Sequence, residues 1–203
     1  MFANIVESVY RSGQQAERLA ALAEFDALGS QQPGLQRAIR IDTGGGRILA
    51  VTLWENEATL EAARLVTVPA SERLLGPLRV APPQRLGSGE VVRDSSTPGA
   101  TYALLAAVTY APGQQEAGLA QADEYRALVD AQPGARGAIF IDVGAGRQLV
   151  LRLWASEAEQ QASSATLRAT FDRLVAPWQS APLQWLGAGA IIRDTDARSA
   201  ATG

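Results

Sequence analysis

The chain repeats itself after one hundred residues, and the register never slips. Gly13-Gln14-Gln15 returns as Gly113-Gln114-Gln115, and Gln32-Pro33-Gly34 as Gln132-Pro133-Gly134. Asp42, Gly44, Gly46 and Arg47 return as Asp142, Gly144, Gly146 and Arg147. Leu53-Trp54 becomes Leu153-Trp154, and Arg93-Asp94 becomes Arg193-Asp194. A repeat this long is a small domain rather than a solenoid turn, so the two copies share an ancestor and a fold. The copies are expected over 1–95 and 101–195, joined by the Ser/Pro/Gly-rich segment 95–100. The tail from Thr195 onward is small and polar and is expected to fray.

One copy reads as β-α-β-β-α-β. Phe2 to Tyr10 is rich in strand formers, and Gln14 to Gly29 carries Leu19, Leu22 and Leu28 near helical spacing, a helix that Gly29 and then Pro33-Gly34 are expected to end. Leu35 to Asp42 and Arg47 to Trp54 alternate like strands, and Thr43-Gly44-Gly45-Gly46 between them fits a tight hairpin. A second helix is expected after Asn56 and Ser156, and Ser156 with Glu159 reads as a capping box. Pro69 is expected to break or kink that helix in the first copy, because proline removes a donor and crowds the preceding turn. Gln84 to Arg93 closes the copy as a strand, with Gly87 and Gly89 suggesting a bulge or a close backbone approach.

This order is the ferredoxin-like plan, an α+β fold with both helices on one face of a four-stranded sheet. The strands are nevertheless apolar on both parities, as in Ile5-Val6, Val91-Val92 and Ile191-Ile192. The second face therefore needs a cover. The other copy, tethered at an effective concentration on the order of mM, is the expected one. Two sheets packed face to face within one chain form an intrachain dimeric α/β barrel, a pseudo-dimer that can associate further with a second chain.

What the composition lacks narrows the chemistry. The 203 residues include no Cys and no His, and every basic residue is Arg. Thiolate nucleophiles, imidazole bases, His-ligated haem and lysine Schiff bases are excluded. The scattered carboxylates show no metal-cage spacing, and the net charge of −3 argues against a nucleic-acid partner. Gly44 and Gly46 lead into a strand rather than a helix, so they fail as a nucleotide loop. No cofactor and no metal are expected. No stretch approaches the ~20 apolar residues of a membrane span, and the N-terminus lacks a basic n-region. A cytoplasmic location without a membrane partner is expected.

The Gln-Pro-Gly before the second strand, the glycine hairpin and the Leu-Trp strand end ahead of a helix carry a resemblance. Those ends read Leu53-Trp54-Glu55-Asn56-Glu57-Ala58 and Leu153-Trp154-Ala155-Ser156-Glu157-Ala158. The chain resembles the antibiotic biosynthesis monooxygenase family of dimeric α/β barrels. The resemblance implies three kinds of member. Some oxidise phenolic, polyketide-like substrates with oxygen and no cofactor. Others degrade haem through a His ligand that this chain lacks. Many have no known activity, and in tandem members one half sometimes loses its pocket.

Such an oxidation asks for an apolar pocket with donors for a phenolate. Trp54 and Trp154 end central strands, where an indole combines a donor with an apolar plane. Tyr10 and Tyr110 end first strands and offer phenols. These four are the candidate catalytic residues, weighed against a plain core role. Asn4, Arg40 and Arg152 are candidate substrate-binding residues, since an Arg in a pocket binds an anionic oxygen. Against this, Asn4 reads as a satisfied interface polar group and the arginines as edge residues in solvent. The expected function is cofactor-independent monooxygenation of a small aromatic or phenolic substrate. The alternative is a non-catalytic binding protein for a small apolar ligand, or a degenerate barrel. Any cavity is expected to differ between the copies.

Overall fold

The computed structural model describes residues 1–196, and it is α+β with eight strands and four helices. Two compact units divide the chain. One holds Met1–Glu90 with the segment that begins at Ile191, and the other holds Val91–Ala190.

The first unit runs β1 (Phe2–Val9), α1 (Gln15–Ser30), β2 (Leu35–Gly44), β3 (Arg47–Trp54), α2 (Glu57–Leu74) and β4 (Gln84–Asp94, through Glu90 in this unit). Its strand order is β4-β1-β3-β2. Pairing is antiparallel, with β1 against β3 from Phe2↔Trp54 to Val9↔Arg47. Residues 191–196 of β8 (Gln184–Asp196) lie beyond β2, where Arg37 holds Asp194 through two hydrogen bonds of 2.9 and 2.7 Å.

The second unit runs β5 (Tyr102–Thr109), α3 (Gln115–Asp130), β6 (Ala135–Asp142), β7 (Arg147–Trp154), α4 (Glu157–Leu174) and β8 through Ala190. Its order is β8-β5-β7-β6, with residues 91–94 of β4 beside β6. The expected βαββαβ order is present in both copies, as two tandem ferredoxin-like units.

Both sheet faces are buried, as the double apolar parity requires. Ala3, Ile5, Leu49, Val51 and Leu53 have no exposed surface. They point away from the helices, because successive residues of a strand alternate sides. Their neighbours Asn4, Ser8, Ile48, Thr52 and Trp54 face the helices.

Local signals explain most element ends. Gly34 and Gly134 adopt φ of +82° and +75°. A Cβ there would fall 2.7 Å from Thr59 or 2.2 Å from the Glu159 carboxyl carbon, so Gln-Pro-Gly exists to bring β2 and β6 against the next helix start. Asn56 and Thr59 cap α2 reciprocally, and Ser156 caps the Glu159 N–H of α4 at 3.2 Å. The glycine-rich final strand carries its expected bulge: the register shifts between Ile5↔Gly87 and Val6↔Arg85.

Three expectations are corrected. Pro69 does not break α2, which has the same 18 residues as α4. The carbonyl that loses its donor belongs to Leu65, whose side chain is 81% exposed, so water replaces the missing N–H at the helix surface. Gly29 does not end α1, which continues to Ser30. Thr195 and Asp196 belong to β8 rather than to a tail. The rest of the expected tail, 197–203, lies outside the described residues. No helix among the described residues is long and apolar enough to cross a membrane.

Candidate functional site

Each unit holds a cavity between its helices and the helix-facing side of its sheet. The volumes are nearly equal, about 340 Å³ in the first unit and about 330 Å³ in the second. Both reach the lower end of small-ligand sites. Their linings differ in how their polar groups are spent.

In the second unit Arg152 and Trp154 project from β7 onto the same face, roughly 7 Å apart along the strand. Trp154 is 2% exposed, and its indole Nε1–H has no hydrogen-bond partner. Arg152 lies with its guanidinium 4.7 Å from the centre of the Tyr125 ring. No carboxylate forms a salt bridge with it among the described residues. Burial opposes its charge, and Tyr125 and Asp130 partly counter that effect. A guanidinium nevertheless stays protonated in any ordinary protein setting.

Tyr125 stands edge-on to Phe171 at 5.5 Å and 71°. Burial raises the Tyr125 pKa foremost, with Arg152 pulling it down, so the phenol is a proton donor at neutral pH. Leu104, Val150, Leu167 and Leu183 supply apolar wall, and Trp185 stands at the rim, 57% exposed. An unpaired N–H and an unpaired cation thus face an apolar chamber, which suits an anionic oxygen on a flat apolar body.

In the first unit the same positions are closed. The Trp54 indole donates to Thr52 Oγ1 at 2.9 Å. Thr52 stands where Arg152 stands in the other copy. Arg40 is buried and donates to Asp26 Oδ1 at 2.6 and 3.0 Å, with Phe25 stacked at 5.6 Å. Asp26 is 4% exposed and also meets Arg193 at 2.9 Å. Arg79 at the other end is held by Glu72 and Ser71. The amide oxygen of Asn4 is buried with no partner.

Of the residues singled out from sequence, Asn4, Tyr10, Arg40 and Trp54 line the first cavity, and Arg152 and Trp154 the second. Tyr10 and Trp54 lie at opposite ends of the sheet, since Trp54 pairs with Phe2 while Tyr10 follows Val9. Tyr110 does not join its cavity. Its ring packs under α3, where a Cβ on Gly118 would come within 2.5 Å of it. Burial there pushes its pKa up to about 12. The arginines are not edge residues in solvent: Arg40 is buried and paired, and Arg152 is half-buried over Tyr125. Sequence reading missed Tyr125, Phe171, Arg168 and Ser164. The signal was available as helical spacing on α4, with Ser164, Leu167, Arg168 and Phe171 three and four apart. Among the described residues no cluster of carboxylates could hold a metal ion.

No protein-family profile matches the sequence, and no curated protein matches it significantly. Solved structures do match its fold. A "putative monooxygenase" of Fusobacterium nucleatum superposes with a TM-score of 0.73 at 7% identity, over 97% of this chain and 94% of that one. An "anthrone oxidase-like protein" matches with a TM-score of 0.67 at 12% identity, over 97% and 93%. A Lactobacillus acidophilus protein described in the same words as the first matches with a TM-score of 0.65 at 9% identity, over 95% and 99%. At these identities the likeness is one of fold: the chain shares the fold of these proteins, in two tandem ferredoxin-like copies.

Proposed function

We propose that the second unit is a cofactor-independent monooxygenase site for a small phenolic or enolic aromatic substrate. The observation that carries this reading is the buried, unpartnered Trp154 N–H beside Arg152, which forms no salt bridge among the described residues, on the floor of an apolar cavity. Two donors in a dry site stabilise an anionic oxygen far better than water-exposed ones. The cation lowers the substrate's pKa, so the substrate is held as its anion. The ring carbon conjugated with that oxygen passes one electron to O2. The resulting carbon radical and superoxide combine into a C–O bond, giving a peroxide anion. Tyr125 is a protonated phenol on the cavity wall and supplies the proton. Loss of the ring C–H proton with O–O cleavage yields the quinone and water. Substrate plus O2 thus becomes quinone plus H2O, with no external reductant.

The names of the matching structures lend support to an oxidative reading, as proteins of the same fold. A second reading, binding without turnover, is favoured by the cavity's lack of any lining carboxylate that could act as a base. Oxygen uptake with dihydroxynaphthalene and anthrone separates the two. Catalysis is expected to fall about a hundredfold in Trp154→Phe, the usual cost of one lost anion donor. Trp54→Phe should leave the rate unchanged, because its donor already serves Thr52. Tight binding of these phenols with no oxygen uptake would instead establish the binding protein.

A further inference from the structure

We propose that the cavity of the first unit is a separate binding site for a neutral, largely apolar ligand carrying a hydrogen-bond donor, an alcohol or an amide N–H. This goes beyond the monooxygenase reading and does not depend on it. The buried charges that line this chamber are paired within it. Arg40 is held by Asp26, and Arg79 by Glu72 and Ser71. At the rim Arg64 is paired with Glu61, and Arg85 is exposed, where solvent screens it. An anion entering here finds the buried cations already paired and must face the Asp26 carboxylate.

At the Asn4 end the donor is spent too, because the Trp54 N–H serves Thr52, the strand partner of Asn4, while the unpartnered Nε–H of Arg79 lies at the other end. What remains unmatched beside Trp54 is an acceptor. The Asn4 amide oxygen is buried without a partner, on a side chain that lines the cavity. A buried polar atom calls for a partner, and in an apolar chamber of about 340 Å³ a ligand's hydroxyl or N–H supplies it. Leu22, Phe25 and Leu60 offer the apolar wall for the rest of such a molecule. In the second copy the position of Asn4 is Leu104, so the acceptor belongs to the first unit alone.

The test uses two probes with one ring system, naphthalenemethanol and naphthoate, titrated calorimetrically into the full chain. Naphthalenemethanol affinity is expected to fall about tenfold in Asn4→Leu, the loss of one hydrogen bond, and to be unchanged in Arg152→Gln. Naphthoate affinity should be unchanged in Asn4→Leu. The second copy carries leucine at this place in an equivalent strand, so the variant is suited to the fold. Should it nevertheless unfold, Ala50→Leu fills the floor of the same cavity and must weaken naphthalenemethanol binding. The proposal is overturned by absence of naphthalenemethanol binding, by affinity unaltered in folded Asn4→Leu or Ala50→Leu chains, or by naphthoate binding that depends on Asn4. An inert chain in oxygen-uptake assays would leave the site standing, so the two readings fail separately.

Discussion

Two cavities of nearly equal volume on equivalent elements differ chiefly in where an arginine sits relative to a carboxylate. In the first unit the arginine is on β2, at position 40, and the helix opposite supplies Asp26. In the second, position 140 is Phe and position 126 is Arg, and the cation has moved to β7 at 152, over an aromatic ring. The same move removes the acceptor Thr52 and leaves the Trp154 N–H unpaired. A buried ion pair spends its charge on itself, whereas a buried cation on a ring face keeps it for a ligand. Three substitutions therefore separate a chamber whose arginine is spent on a carboxylate from one whose arginine lies on a ring face.

The sharpest way to break this comparison is to remove each arginine. Arg40→Leu leaves the nearly inaccessible Asp26 with Arg193 as its remaining partner, and should cost about 3 kcal/mol of unfolding free energy. The double variant Asp26→Leu/Arg40→Leu should recover most of that. Arg152→Leu should cost less, about 1 kcal/mol, because Arg152 acts on Asp130 without forming a salt bridge among the described residues. Urea titration measures all three. Equal losses for the two single variants would mean that the fold depends on Arg152 as heavily as on Arg40.

Alkaline titration sharpens it next. Tyr110 has its pKa raised from 10 to about 12 by burial, so the folded chain keeps a proton that the unfolded chain releases. Stability from this group is full below pH 10 and is lost as the pH rises through about 12. Tyr110→Phe should flatten that loss, and tyrosinate absorbance should show one late-titrating residue fewer in the variant than in the wild type. A wild-type stability curve already flat across that window, or no change in Tyr110→Phe, would mean that the phenol reaches water.

A smaller difference separates the tryptophans. Trp54→Phe and Trp154→Phe vacate similar space at equivalent strand ends, so their packing costs nearly cancel. Only Trp54 gives up a hydrogen bond, leaving Thr52 Oγ1 without its donor. Trp54→Phe should therefore be the more destabilising by about 1 kcal/mol. The order should invert in the oxygen-uptake assay.

The repeat, the βαββαβ order, the bulge at Gly87 and the helix caps were legible because each rests on local chemistry that one stretch of sequence contains. The double burial of the sheet was legible from apolar residues on both parities. The site was legible only in part. Trp154 and Arg152 share a strand face, and period-two spacing reveals that. Their availability could not be read, since it depends on the absence of an acceptor at 152 and on Tyr125, which belongs to none of the repeated motifs. Tyr110 misled for the opposite reason. Its place in the chain matches Tyr10, but Gly118 lets α3 settle onto its ring and draws it into the core.

Pro69 gives the smallest expected effect, and it tests whether helix chemistry or lining chemistry separates the cavities. Replacing Pro69 with Ala restores an N–H that can bond the Leu65 carbonyl, a gain of about 1 kcal/mol. Alanine also frees the unfolded chain, which returns about 0.4–1 kcal/mol. The two nearly cancel, so Pro69→Ala should shift stability by no more than about 0.5 kcal/mol. Its side chain is exposed and does not line the cavity, although Val68 beside it does. Binding of naphthalenemethanol should therefore be unaltered in calorimetry. A pronounced change in that affinity would restore the proline as the cause of the difference. No change would leave positions 4, 40 and 52 as its source.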